Sequence, residues 1–122
     1  MSKAENVVVL GASPNPSRYS NMAVNRLKEH GHSVYPVGVR DGEVAGLEIC
    51  KELPKEVNVD TISLYVAPQN MGDWREKIED LKPKRVIFNP GTEDPKWQSE
   101  LMNMGIEPQA ACTLVLLSIG NY

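Results

Sequence analysis

Short apolar runs alternate with longer amphipathic stretches along the chain. Within Asn6–Leu10 and Arg85–Phe88, apolar residues occupy successive positions, which is typical of strands that are buried on both faces of a parallel sheet. Between such runs, apolar residues recur every three or four positions, the spacing of one helical face. The clearest helical stripe consists of Met71, Trp74, Ile78 and Leu81.

This alternation predicts five strands, at residues 6–10, 33–37, 60–66, 85–88 and 106–109. It predicts helices at residues 20–30, from 68 up to Pro83, from 95 to 104 and at 113–119, with a short helical turn within 47–53. Strands separated by helices imply right-handed crossovers and a parallel sheet. We expect one α/β domain over residues 1–122, a Rossmann-like fold whose five-stranded parallel sheet has the order 3-2-1-4-5 and helices on both faces.

A sheet of this order would hold its ligand crevice at the carboxyl ends of the first and fourth strands, where the strand order reverses. The loops after the first four strands open there, and Cys112 follows the fifth strand at the same edge. The candidate binding residues in these segments are Gly11, Ala12, Ser13, Ser17, Arg18, Tyr19, Ser20, Asn21, Val37, Arg40, Pro68, Asn89, Pro90, Gly91 and Cys112.

The loop after the first strand carries the strongest signal. Gly11 allows a sharp exit from the strand, and a polar loop then leads to a helix that begins near Ser20 or Asn21. The first N–H groups of a helix are unpaired, and the helix dipole adds positive charge there, so this segment predicts a phosphate-bearing ligand. Arg18 is a candidate for pairing with a phosphate, although a solvated loop arginine is the alternative.

The glycine pattern does not match the dinucleotide fingerprint, which has three glycines in the spacing Gly-x-Gly-x-x-Gly. Only Gly11 is present, and Ser13 and Pro16 hold the other two positions. The second strand leads into Arg40 rather than ending in an acidic residue, which favours a phosphorylated ribose over a free one. NADP and coenzyme A both carry such a phosphate, so both remain open here.

Composition excludes several classes. A net charge of −3 without a basic run argues against nucleic-acid binding, and no apolar run reaches the length of a membrane span. The two cysteines are too few for a secreted disulfide framework, so we expect a cytoplasmic protein with reduced thiols. The histidines and cysteines do not have metal-ligand spacing, and no nucleophile or Walker motif is present, so no metal and no catalytic residue is predicted.

The chain also resembles the small, stand-alone CoA-binding domain proteins, which are similar in fold to the nucleotide domain of the succinyl-CoA synthetase alpha subunit. The resemblance covers nearly the whole chain. It is carried by residues 8–18, 31–37, 53–60, 89–92 and 111–112. It implies coenzyme A or an acyl-CoA as the ligand, with the phosphates at the first loop and the first helix.

The expected function is therefore non-catalytic binding of coenzyme A or an acyl-CoA at the carboxyl ends of the strands. One alternative is an NADP-binding or redox-sensing domain, in which Cys112 gains reactivity at a helix N-terminus. Another is a nucleotide-binding subunit of a larger acyl-CoA ligase-like enzyme, with catalysis supplied in trans. A protein partner or a homo-oligomer is left open.

Overall fold

The computed structural model describes residues 3–122. Its strands are β1 (Asn6–Leu10), β2 (Ser33–Val37), β3 (Glu43–Val44), β4 (Leu47–Glu48), β5 (Thr61–Leu64), β6 (Arg85–Phe88) and β7 (Glu107–Ala110). Its α-helices are α1 (Tyr19–Glu29), α2 (Trp74–Leu81), α3 (Pro95–Asn103) and α4 (Thr113–Ser118), and a 3-10 turn at Pro68–Asn70 precedes α2.

Five strands form one parallel sheet in the order β2-β1-β5-β6-β7, which confirms the predicted α/β fold with a five-stranded parallel sheet. Counted along the chain, these five strands have the order 2-1-3-4-5. The predicted order 3-2-1-4-5 was wrong in one respect, because the third strand lies beside the first and not beside the second. In the register between them, Val8 pairs with Ile62 and Leu10 with Leu64.

The third strand was predicted to lie at the outer edge of β2. This edge is occupied instead by the segment around Cys50, which belongs to the connection between β2 and β5. The Cys50 N–H donates to the Pro36 carbonyl at 3.0 Å, and the Cys50 carbonyl accepts the Gly38 N–H at 2.9 Å. The predicted helical turn within residues 47–53 is also wrong. The connection forms the β3–β4 hairpin instead, because Ala45 and Gly46 both adopt positive φ, as a tight two-residue turn requires.

Helices cover both faces of the sheet, as predicted. Val7 and Val9 point to the face where α1 and α4 contribute Val24, Leu27 and Leu117. Val8 and Leu10 point to the opposite face, against Ile78 of α2 and Trp97 and Leu101 of α3. Because both faces of β1 are covered by helices, every side chain from Val7 to Leu10 is buried, and this explains why the run contains no polar residue.

The observed strand order changes the place in the sheet where the order of strands reverses. Because β2 lies on one side of β1 and β5 on the other, the order reverses between the first and third strands of the sheet. Ligand crevices in open α/β sheets form outside the carboxyl ends of the strands at this point. The crevice therefore belongs between β1 and β5, and not between the first and fourth strands as predicted.

Candidate functional site

An open groove of about 320 Å³ lies at the carboxyl ends of β1, β2 and β5, and we call it the crevice. Its volume is at the lower end of the range of about 300–1,000 Å³ that is typical of small-molecule sites. Three predicted residues, Gly11, Ala12 and Arg40, line it together. The full lining is Leu10, Gly11, Ala12, Gly38, Val39, Arg40, Tyr65, Val66, Ala67, Asn70 and Trp74.

Gly11 turns the chain from β1 into the first loop, with a φ of +93°. A Cβ at this position would lie 2.8 Å from the Tyr65 carbonyl oxygen, so only glycine allows the loop to pass so close to the end of β5. The N–H groups of Gly11 and Ala12 both donate to the Val37 carbonyl, at 2.9 and 3.1 Å. Val37 therefore holds the loop through its backbone, while its side chain is buried.

The first loop is held by its own polar side chains. The Ser13 hydroxyl accepts the Asn15 N–H at 3.1 Å, and the Asn15 side-chain oxygen accepts the N–H and the hydroxyl of Ser17 at 3.0 and 2.8 Å. The Asn21 amide donates to the Ser13 carbonyl at 2.9 Å, which ties the loop to the first turn of α1. These bonds preorganise the segment that sequence reasoning selected for phosphate binding.

The N-terminus of α1 has no side-chain cap. Arg18 is its N-cap residue, and Ser20, which is buried, lies within the helix and does not cap it. Met22 makes the first bond of the helix, to the Arg18 carbonyl at 3.2 Å. Within residues 3–122, no hydrogen bond uses the N–H groups of Tyr19, Ser20 or Asn21. The positive end of the helix dipole is left open to an anion.

The arginines divide into paired and unpaired groups. Arg75 pairs with Asp94 at 2.9 Å, Arg85 with Glu5 at 3.5 Å, and Arg26 lies 3.9 Å from Glu29. Among the described residues, neither Arg18 nor Arg40 forms an ion pair, and both are exposed. The two unpaired arginines are therefore those that follow the carboxyl ends of β1 and β2.

The loop after β6 has a different role from the first loop. Asn89 is buried, and its amide N–H groups donate to the Ser63 hydroxyl at 3.1 Å and the Leu64 carbonyl at 2.9 Å. Its side-chain oxygen accepts the Thr113 N–H at 2.8 Å. The amide nitrogen and the amide oxygen of Asn89 are therefore both used inside the protein. Pro90 and Gly91 are exposed, and Gly91 donates its N–H to Glu93 at 2.9 Å. None of these loop residues lines the crevice.

Cys112 and Tyr65 lie at the same edge of the sheet. Cys112 is partly exposed and immediately precedes α4, outside the crevice lining. The Tyr65 hydroxyl is buried without a hydrogen-bond partner among residues 3–122. Burial raises the pKa of Tyr65 to about 12, the nearby Ser63 and Thr113 hydroxyls oppose the shift, and the Cys112 thiol adds to it. Cys50, which a packing role would bury, is exposed.

Sequence reasoning missed most of the wall that follows β5. It selected Pro68, which begins the 3-10 turn, but the crevice is lined by neighbours of Pro68 on both sides. Trp74 was assigned to a core stripe and is half-buried at the crevice. The missed residues are Tyr65, Val66, Asn70 and Trp74. Their position after the buried run at Thr61–Leu64 was a usable signal, but the predicted strand order placed that strand away from β1.

Within residues 3–122, no three histidine, cysteine or acidic side chains lie close enough together to hold a metal ion. Over the same range, no helix is long and apolar enough to cross a membrane.

Known structures share the whole architecture. A crystal structure of an uncharacterized protein is 47% identical, with a TM-score of 0.95, and the match covers 99% of this chain and 100% of that one. A Thermus thermophilus protein, cell-free ID.343, is 26% identical with a TM-score of 0.86, over 98% and 91% of the two chains. No curated protein matches the chain.

A more distant likeness concerns the fold alone. An acetyl-coenzyme A synthetase of Ca. Korarchaeum cryptofilum, solved with phosphate and ADP, is 18% identical with a TM-score of 0.69. The match covers 88% of this chain and 25% of that enzyme. At the level of sequence, residues 5–118 match the CoA binding domain family. The chain thus belongs to the CoA binding domain family.

Proposed function

We propose that the protein binds coenzyme A or an acyl-CoA at the carboxyl edge of its sheet, without catalysis of its own. The observation that carries this proposal is the open N-terminus of α1, where three backbone N–H groups have no partner among the described residues. Arg18 stands at this terminus without an ion pair within residues 3–122. Unpaired N–H groups and an arginine together form a binding site for phosphate.

The residues present fit the chemistry of this ligand. The pyrophosphate would accept hydrogen bonds from the backbone of Tyr19–Asn21 and from Arg18. Arg40, in the crevice wall, would pair with the phosphate on the ribose, while Val66 and Trp74 offer apolar surface to the base. Bound coenzyme A would supply a thiol, and a bound acyl-CoA would supply a thioester.

The loop after β6 would contact the end of the ligand that is distant from the phosphates. We place the thiol or acyl end near Cys112 and the exposed Pro90 and Gly91, which follow neighbouring strands at the same edge. In this arrangement Asn89 is a positioning residue, because its bond to the Thr113 N–H holds the start of α4 and thereby Cys112. With both thiols free, we propose that the protein works in the reducing cytoplasm.

NADP is the second candidate, because Arg40 at the crevice suits any phosphorylated ribose. Thermal unfolding with equal concentrations of coenzyme A, 3′-dephospho-coenzyme A, NADP and NAD distinguishes the candidates. A ligand that binds the folded state raises the melting temperature by mass action. We expect the largest rise with coenzyme A and a smaller one with the dephosphorylated form. The Arg40→Ala variant should remove the difference between these two.

A larger rise with NADP than with coenzyme A would overturn the proposal. Native mass spectrometry of freshly purified protein provides the independent check. A retained mass that corresponds to coenzyme A or an acyl-CoA supports the assignment, and a retained pyridine nucleotide contradicts it.

A further inference from the structure

A second groove, larger than the crevice, lies at the opposite edge of the sheet. It has a volume of about 710 Å³ and runs between residues 52–59 and the segment from α2 to the start of β6. Because residues 59 and 84 precede strands of the parallel sheet, the groove lies at the amino ends of those strands. Its floor is apolar, with Leu53 and Val59 buried and Val57 and Leu81 partly buried.

Four of the eight lysines in the chain line this groove, which we call the lysine groove. They are Lys55, Lys77, Lys82 and Lys84. Lys84 lies 3.1 Å from Asp60, but within residues 3–122 the other three form no ion pair. Two acidic residues, Glu52 and Asp80, also line the groove. The three unpaired lysines outnumber the two acidic residues, so the groove has a small excess of positive charge, although the whole chain has a net charge of −3.

The backbone at Lys82 is strained. Lys82 follows the last residue of α2 and has a φ of +55°, a conformation that usually favours glycine at this position of a helix end. A lysine here gains from the negative end of the helix dipole, yet a glycine would avoid the steric strain of the Cβ. The Lys77 ammonium lies 5.0 Å from the centre of the Trp74 ring, which belongs to the crevice, so Lys77 is not counted among the head-binding residues.

We propose that the lysine groove binds an amphiphilic carboxylate, a molecule with an apolar chain and one acidic head, of the fatty-acid class. The apolar floor would cover the chain, and Lys55 and Lys82 would pair with the head. A small inorganic anion would leave the apolar floor of the groove exposed to solvent. An amphiphilic cation would be repelled by the lysine ammonium groups. Because this groove and the crevice lie at opposite edges of the sheet, both sites can be filled together.

The test is a titration with laurate, below the concentration at which it forms micelles, followed by calorimetry and by amide chemical shifts. Acetate lacks the apolar chain, and dodecyltrimethylammonium carries the opposite charge on a chain of the same length. We expect saturable binding of laurate alone, with shifts in residues 52–59 and 77–84 and none at Gly11 or Gly38. Equal binding of either comparison compound, or displacement of laurate by coenzyme A, would overturn the proposal.

Two variants separate a binding role from a structural one. Lys82→Gly removes a charge and relieves the backbone strain, so it should weaken laurate binding by about two- to fivefold while the unfolding midpoint rises or stays the same. Val57→Asp should abolish binding by placing a carboxylate in the floor. Lys96→Ala on α3, outside the groove, is the control and should keep the wild-type affinity. Unchanged affinity in Lys82→Gly combined with Lys55→Ala would refute the site, whether or not Val57→Asp folds.

Discussion

The Asn89 side-chain oxygen accepts the backbone N–H of Thr113 at 2.8 Å, and this bond joins the end of β6 to the first residue of α4. The same amide donates to Ser63 and Leu64 at the end of β5, and the Ser63 and Thr113 hydroxyls lie 2.8 Å apart. One buried side chain therefore connects two strands and a helix at the edge where we place the ligand.

Replacing Asn89 by alanine should lower the free energy of unfolding by about 2–4 kcal/mol, because it leaves buried polar groups without partners. Asn25→Ala is the matched control. It removes an exposed amide that bonds only to Asn21, and it should change stability by less than about 0.5 kcal/mol. Urea unfolding of both variants measures the difference. Equal losses would show that the network contributes little.

Gly11→Ala should destabilise the protein more than Gly31→Ala does. The two glycines have similar φ angles, +93° and +88°, but an added Cβ meets the Tyr65 carbonyl only at Gly11 and open space at Gly31. The backbone strain of about 1–2 kcal/mol is common to both, so the difference of about 1–3 kcal/mol reports the close approach. Chemical denaturation measures it, and identical midpoints would contradict the packing role of Gly11.

Arg18→Ala should weaken coenzyme A binding by about 1.5–3 kcal/mol, the range for hydrogen bonds to charged groups. The stability of the free protein should barely change, because Arg18 is exposed and makes no ion pair among the described residues. Arg26→Ala, further along α1, is the control and should keep its affinity. If calorimetry finds the same affinity for coenzyme A in both variants, Arg18 does not contact the ligand and is a solvated loop residue.

Coenzyme A should slow the alkylation of Cys112 and leave that of Cys50 unchanged. Cys112 is partly exposed at the proposed thiol end, whereas Cys50 is exposed on the outer edge of β2. Peptide mass spectrometry after timed exposure to iodoacetamide measures both rates in one sample. If bound coenzyme A leaves the Cys112 rate unaltered, the thiol end of the ligand lies elsewhere.

His32 should make the protein less stable as the pH falls from 7 to 5. Its Nδ1 atom accepts the Glu5 N–H at 3.0 Å, and burial lowers its pKa below the ordinary value of 6.5, with Glu5 opposing the shift. As the pH falls, His32 is protonated in the unfolded chain at a higher pH than in the folded protein. The contribution of neutral His32 to the free energy of unfolding is therefore complete above pH 6.5 and is lost as the pH falls through the folded-state pKa. His32→Asn should show a smaller loss over this range by urea unfolding, and a loss as steep as that of the wild type would exclude His32.

The strands and helices were predictable where side-chain pattern alone decides them. The four successive apolar residues of β1 must be buried on both faces, and the apolar stripe that includes Trp97 and Leu101 can face only a core. The strand order was not predictable in this way. Cys50 occupies the edge of β2 through backbone hydrogen bonds, which leave no signature in its side chain or in those of its neighbours.

The same limit applied to the candidate site. Gly11 and Arg40 were identified at the crevice because a turn glycine after the first strand and an arginine after the second, where an acidic residue would favour a free ribose, are visible in the sequence. Tyr65 and Trp74 were not, because an aromatic residue at helical spacing or after a buried strand is more often part of a core. Only the adjacency of β5 and β1 brings these two side chains to the crevice.

The contact between Cys50 and β2 also bears on self-association. An open parallel sheet has two edges at which the backbone of another molecule could add a strand. On one side, the Cys50 segment already uses the Pro36 carbonyl and the Gly38 N–H. On the other side, β7 has four residues, and Pro108 among them has no N–H to donate. Both margins are thus poor templates for edge-to-edge aggregation, so the chain should tolerate high concentration without forming intermolecular sheets.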